Sequence, residues 1–176
     1  MKGSATVLIL GLAAGLALLA AADVPTYVGA AKCRDCHKTE KQGKAYPVWE
    51  ASKHAQAANA LKLEDAKAPA KEAGLTVPPD QSPVCQKCHV PLAATAVPEI
   101  AAEGVTCEVC HGPGSLYKKL SVMVDHEACV KNGLVAYASQ DAVKTACLAC
   151  HANAHGIKDW DFAKAWEAVK HDKPGK

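Results

Sequence analysis

The sequence predicts a mainly α-helical domain with long irregular loops, on three observations. Stretches that read as helices are separated by Pro- and Gly-bearing connections. One five-residue pattern, C-x-x-C-H, occurs four times. The chain is also short of the side chains that ordinarily fill an interior: its 176 residues include one Phe, three Trp and four Tyr, and much of the apolar remainder is Ala. Something other than side chains must occupy the middle of such a domain. The near balance of 20 Lys+Arg against 18 Asp+Glu gives no electrostatic case for nucleic acid as a partner.

Residues 1–22 read as a cleaved secretory signal. Lys2 gives a cationic start, Val7 to Leu19 is an uncharged apolar run too short for a comfortable bilayer span, and Ala20-Ala21-Ala22 supplies small residues before Asp23. Residues 23–176 are then one domain with no stable membrane span, exported to the periplasm, the cell surface or the medium.

The repeated pattern falls at Cys33–His37, Cys85–His89, Cys107–His111 and Cys147–His151, and uses eight of the nine cysteines. Two thiols at this spacing reach the two vinyl groups of one porphyrin while the next residue's imidazole swings beneath the ring to the iron. Zinc ribbons and redox pairs share the C-x-x-C spacing but do not require the following His. The reading is four covalently attached haem c groups on Cys33, Cys36, Cys85, Cys88, Cys107, Cys110, Cys147 and Cys150, with His37, His89, His111 and His151 as proximal ligands. The fold class is thus a small multihaem cytochrome c domain built around its four haems, which also accounts for the thin supply of aromatic side chains.

Four further histidines, His54, His126, His155 and His171, equal the proximal set in number and favour bis-histidine iron. Once the signal is removed only Met123 remains as a methionine, so Met/His ligation serves at most one haem and low potentials are expected. His54 lies in a segment from Pro47 to Leu61 that reads as one helix, with Ala51, His54, Ala58 and Leu61 on one stripe. Between Glu64 and Pro83 the Ala-, Lys- and Pro-rich sequence shows no helical period and reads as a surface loop. Gly112-Pro113-Gly114 reads as a tight turn after the third motif. The last segment, Asp159 to His171, reads as a helix capped by Asp, with Phe162, Trp166 and Val169 on one face and His171 at its end.

These residues together resemble the cytochrome c-554 family. The resemblance rests on the first motif followed by Trp49 and Ser52-Lys53-His54-Ala55, on the second motif, on Gly104-Val105-Thr106-Cys107 through Gly114 with His126 downstream, and on the fourth motif. Phe162 to His171 matches more weakly. The resemblance implies a tetrahaem electron carrier in which His126 is distal to the haem on His37, His54 to that on His111, and His171 to that on His151. It implies no distal protein ligand for the haem on His89. His155 matches no ligand of the family: it is free to cap the second haem within the chain, to reach the second haem of a neighbouring copy, or to stay on the surface.

The function expected is electron transfer between a donor and an acceptor protein, without catalysis. Two alternatives stay open: self-assembly into an extracellular haem filament, and weak reduction of a small nitrogen oxide at an open iron on His89. Cys129 has no partner at haem spacing and reads as a partly buried thiol, or as one able to form an intermolecular disulfide.

Overall fold

The computed structural model describes residues 23–94, 97–152, 155 and 158–171; the signal read at residues 1–22 lies outside them. Among the described residues there are helices and loops and no strand. The α-helices, in chain order, are α1 (Ala30–His37), α2 (Ala45–Glu50), α3 (Ala57–Ala60), α4 (Lys67–Glu72), α5 (Pro83–His89), α6 (Pro98–Ala101), α7 (Cys107–His111), α8 (Leu120–Met123), α9 (His126–Lys131), α10 (Gln140–His151) and α11 (Phe162–Val169). No described helix is long and apolar enough to cross a membrane.

Each attachment motif ends a helix, so its His sits in the last turn of α1, α5, α7 or α10. The caps follow the sequence. Asp125 opens α9 by accepting from the Glu127 and Ala128 amides at 2.9 and 3.1 Å, Ser139 opens α10 by accepting from Ala142 at 3.2 Å, and Asp161 opens α11 through Ala163 and Lys164 at 2.8 and 3.2 Å. In the last segment Asp161, and not Asp159, is therefore the cap; Asp159 has a left-handed backbone. Phe162, Trp166 and Val169 share the half-buried face of α11, which packs toward α2.

The helix expected from Pro47 to Leu61 is broken. Helix α2 stops at Glu50 and α3 resumes at Ala57, because the backbone between them is engaged elsewhere. Ser52 Oγ donates to the Trp49 carbonyl at 2.6 Å, the Trp49 indole donates to Val105 O at 2.9 Å, and the His54 carbonyl accepts from the Val105 amide at 3.1 Å. The His54 carbonyl also accepts from the Ala57 amide at 3.2 Å, an i to i+3 bond, so the chain runs through tight turns there and the i to i+4 ladder is interrupted. The close approach needs Gly104: its φ is +76°, and a Cβ there would lie 2.8 Å from His54 O.

The segment from Glu64 to Pro83 is on the surface, as expected, but contains α4. Pro69 falls in the first turn of that helix, where no amide donor is required, and Ala and Lys supply the rest. The apolar core of the protein's own side chains is thin: Ala30, Ala58, Leu61, Leu92, Ile100, Tyr117 and Cys129 are its buried members. The largest fully buried side chains are Glu108, Thr106, Cys129 and Ser82, three of them polar.

Candidate functional site

The site is organised around Glu108, one of the variable positions inside the third motif. Its side chain is 2% exposed. Oε2 accepts from the Gly29 amide at 2.8 Å and the Val28 amide at 3.0 Å, while Oε1 accepts from Gly114 at 2.7 Å. Glu103 adds a second carboxylate, accepting from the Ala30 amide at 2.8 Å and from the Thr106 hydroxyl at 2.9 Å. These bonds satisfy amides at the start of α1, whose Gly29 carries no capping side chain, and complement the positive end of the helix. The helix with the first motif is thereby fixed against the helix with the third. The motif pattern alone gives no sign of this role, since the two positions between its cysteines are unconstrained by haem attachment.

The other end of α7 is held by carbonyl pairing. Tyr117 Oη donates to Gly112 O at 2.9 Å, Tyr137 Oη to Cys110 O at 3.0 Å, and the Val135 amide to His111 O at 3.0 Å. Gly112 closes the helix at φ +76°, where an added Cβ would meet Gly133 O at 2.5 Å. The turn expected at Gly112-Pro113-Gly114 is thus the junction of three chain segments.

The motif cysteines adjoin in a fixed order. Cys33 lies within hydrogen-bonding reach of Cys107, Cys110 lies beside Cys147, and Cys150 lies within reach of Cys88. First, third, fourth and second motifs therefore follow one another in space, which is not their order in the chain.

The histidines come together in pairs. His89 and His155 have ring centroids 5.9 Å apart and planes 13° from parallel. His54 and His151 stand 6.1 Å apart, and His111 and His171 stand 5.7 Å apart. Each pair joins one motif His to one non-motif His. These partners differ from those the family resemblance implies, which sets His54 with His111 and His171 with His151; the third and fourth motifs adjoin at Cys110 and Cys147, and the two non-motif rings are exchanged between them. His37 and His126 stand outside the three ring pairs.

The surroundings suit metal ligation. Burial, with the positive charge of His171 and His37 behind it, pushes the His111 pKa down to about 4. Burial likewise lowers His54 and His151. Neutral imidazole is the form that binds a metal. His89 Nδ1 faces Ala57 O at 3.1 Å and His37 Nδ1 faces Gln42 O at 3.3 Å, contacts in which Nδ1–H donates and Nε2 is left for a metal. His151 differs: its Nδ1 is buried without a partner, and Trp160 stacks on its ring at 4.8 Å.

Two imidazoles do not make a metal site by themselves, and no group of three or more His, Cys, Asp or Glu among the described residues is arranged to hold an ion. They do suit an iron whose other four ligands come from a porphyrin. A metal–imidazole bond of about 2.0 Å, added to the ring's own radius, sets two trans imidazole centroids roughly 6 Å apart. All three pairs meet that distance, and beside them stand paired thiols spaced for thioether links. The residues present fit haem c.

Residues 32–112 match the family described as cytochrome c554 and c-prime. Cytochrome c-554 of Nitrosomonas europaea is 33% identical to this chain over 164 residues, an overlap covering 82% of this chain and 65% of that protein. The chain thus spans just under two thirds of that relative's length. No solved structure matches it.

Proposed function

Since the chain belongs to the cytochrome c-554 family, we propose that it is an exported tetrahaem electron carrier that passes electrons between redox partner proteins in the periplasm or at the cell surface. The observation that carries this reading is the pairing of motif with non-motif imidazoles at 5.7 to 6.1 Å. Imidazoles so paired would occupy both open positions of a haem iron and leave none for a substrate, which suits taking and giving electrons.

Haem iron, when bound, supplies reversible one-electron exchange. The chain's residues do the rest. Cys33 and Cys36, Cys85 and Cys88, Cys107 and Cys110, and Cys147 and Cys150 would each hold one macrocycle. His37, His89, His111 and His151 would be proximal ligands. His54 would serve with His151 and His171 with His111, as their rings stand; His126 would serve with His37, as the resemblance implies. Glu108 and Glu103 fix α1 against α7, which holds the first and third attachment sites at constant separation. The adjacency of Cys33 with Cys107, Cys110 with Cys147 and Cys150 with Cys88 supports an electron path running through the first, third, fourth and second sites. Its two ends are where partner proteins would exchange electrons.

The test is to purify the matured protein, weigh it, count haem as the pyridine haemochrome, and follow reduction by spectropotentiometry. The expected result is a mass for residues 23–176 plus four haems, all reversibly reduced at low potential. Fewer than four haems, or sustained turnover of nitrite or nitric oxide, would reject the reading.

A further inference from the structure

We propose that His155 is the sixth ligand of the iron held by His89, so that the second haem is closed from within the same chain. The inference rests on the haem reading above and adds a ligand that the family pattern lacks. His155 belongs to no attachment motif. Its ring nevertheless stands 5.9 Å from that of His89 with the planes only 13° apart, the separation two imidazoles have on opposite sides of one iron. The other two motif–non-motif pairs, His54 with His151 and His111 with His171, show the same spacing within a few tenths of an ångström.

The nitrogen bookkeeping agrees. His89 spends Nδ1 on the Ala57 carbonyl at 3.1 Å, so Nε2 is the nitrogen left for the metal. The juxtaposition also follows from the chain's geometry. His155 comes four residues after His151, at the end of α10, and Cys150 of that helix lies within reach of Cys88 in the second motif. The end of α10 is therefore delivered to the second motif. His155 reaches His89 because the fourth and second sites adjoin, and no second copy of the chain is needed to bring a ligand there.

Two properties follow. The second iron would then have no open position at which a small nitrogen oxide could bind directly. Its distal ligand, however, is exposed, whereas His54 is half-buried.

Electron paramagnetic resonance of the oxidised holoprotein tests this. The native protein is expected to show no high-spin ferric signal, and its spectrum should not change on dilution from high to sub-micromolar concentration, the lower range being followed by the optical spin-state bands. His155→Ala should convert one haem in four to high spin, should bind carbon monoxide at that haem when reduced, and should return to low spin on addition of free imidazole. A His155→Ala protein whose high-spin count equals that of the native protein would overturn the assignment while leaving four reversible haems and the carrier reading intact. A native spectrum that turns high-spin on dilution would overturn it in favour of a ligand from a second copy. Should His155→Ala not mature, the native spectrum and its dilution series decide the matter alone.

Discussion

The Glu108 carboxylate accepts a 2.8 Å hydrogen bond from the amide of Gly29, far back in the sequence, and the same side chain holds Val28 and Gly114. Through it the first and third attachment helices become one unit. A glutamine at this position keeps the shape but loses the charge and one acceptor, leaving a buried backbone amide unpaired. Glu108→Gln should destabilise the holoprotein by about 1–3 kcal/mol, read as a lower midpoint in guanidinium unfolding. Haem content should be unchanged. A variant within about 0.5 kcal/mol of the parent, the scatter of ordinary surface substitutions, would show that the clasp is dispensable.

Gly104 bears on the position of His54. Alanine at φ +76° is strained by about 1–2 kcal/mol, and its Cβ would press on the His54 carbonyl. The prediction for Gly104→Ala is a loss of stability of about 2 kcal/mol or more together with a changed low-spin resonance for a single haem. If stability falls and every resonance stays as it was, the glycine serves the chain path and not the ligand.

His89 and His151 should differ in what they do to their irons. The hydrogen bond from His89 Nδ1 to Ala57 O makes that imidazole the stronger electron donor, whereas His151 Nδ1 has no such acceptor. Stronger donation stabilises ferric iron, so the haem on His89 should have the lower midpoint potential of the two. The potential that moves in His155→Ala labels the second haem in a spectropotentiometric titration. The opposite order would mean that exposure outweighs ligand basicity.

Cys129 is 2% exposed and donates from Sγ to Val122 O at 3.3 Å. Burial raises its pKa, which keeps the thiol protonated and unreactive. The native protein should run as a monomer on a non-reducing gel, and iodoacetamide should modify Cys129 only after denaturation. A disulfide-linked dimer from undenatured protein would contradict this.

What could be read in advance depended on the range of the interactions involved. The attachment motifs, the terminal helix and its aromatic face are local patterns, and α11 appears where that pattern puts it, whereas the helices that the four motifs end, α1, α5, α7 and α10, are not announced by the motif spacing. The break between α2 and α3 is set by Val105 and Gly104, far along the chain, and no pattern within Pro47–Leu61 encodes it. Helix α4 was hidden by Pro69, which stops a helix in its middle but not in its first turn. The buried role of Glu108 was invisible because its neighbours Cys107 and Cys110 explain the motif without it. Ring partners are the extreme case: the histidines could be counted, but which ring faces which depends on how the helices cross.

The strap formed by Val28, Gly29 and Ala30 with Glu108 and Glu103 has a bearing on timing. Chains emerge from synthesis beginning at the N-terminus and fold as their parts become available. The first attachment segment emerges early, yet the carboxylates that seat it belong to the middle of the chain, and Thr26 finds its partner only at Ser115, with a 2.8 Å bond from the Thr26 amide to the Ser115 hydroxyl. Cys33 and Cys36 would therefore remain on an unanchored, accessible tail until the third segment has appeared, and if they carry haem as proposed, attachment would have its longest opportunity at the site that closes late.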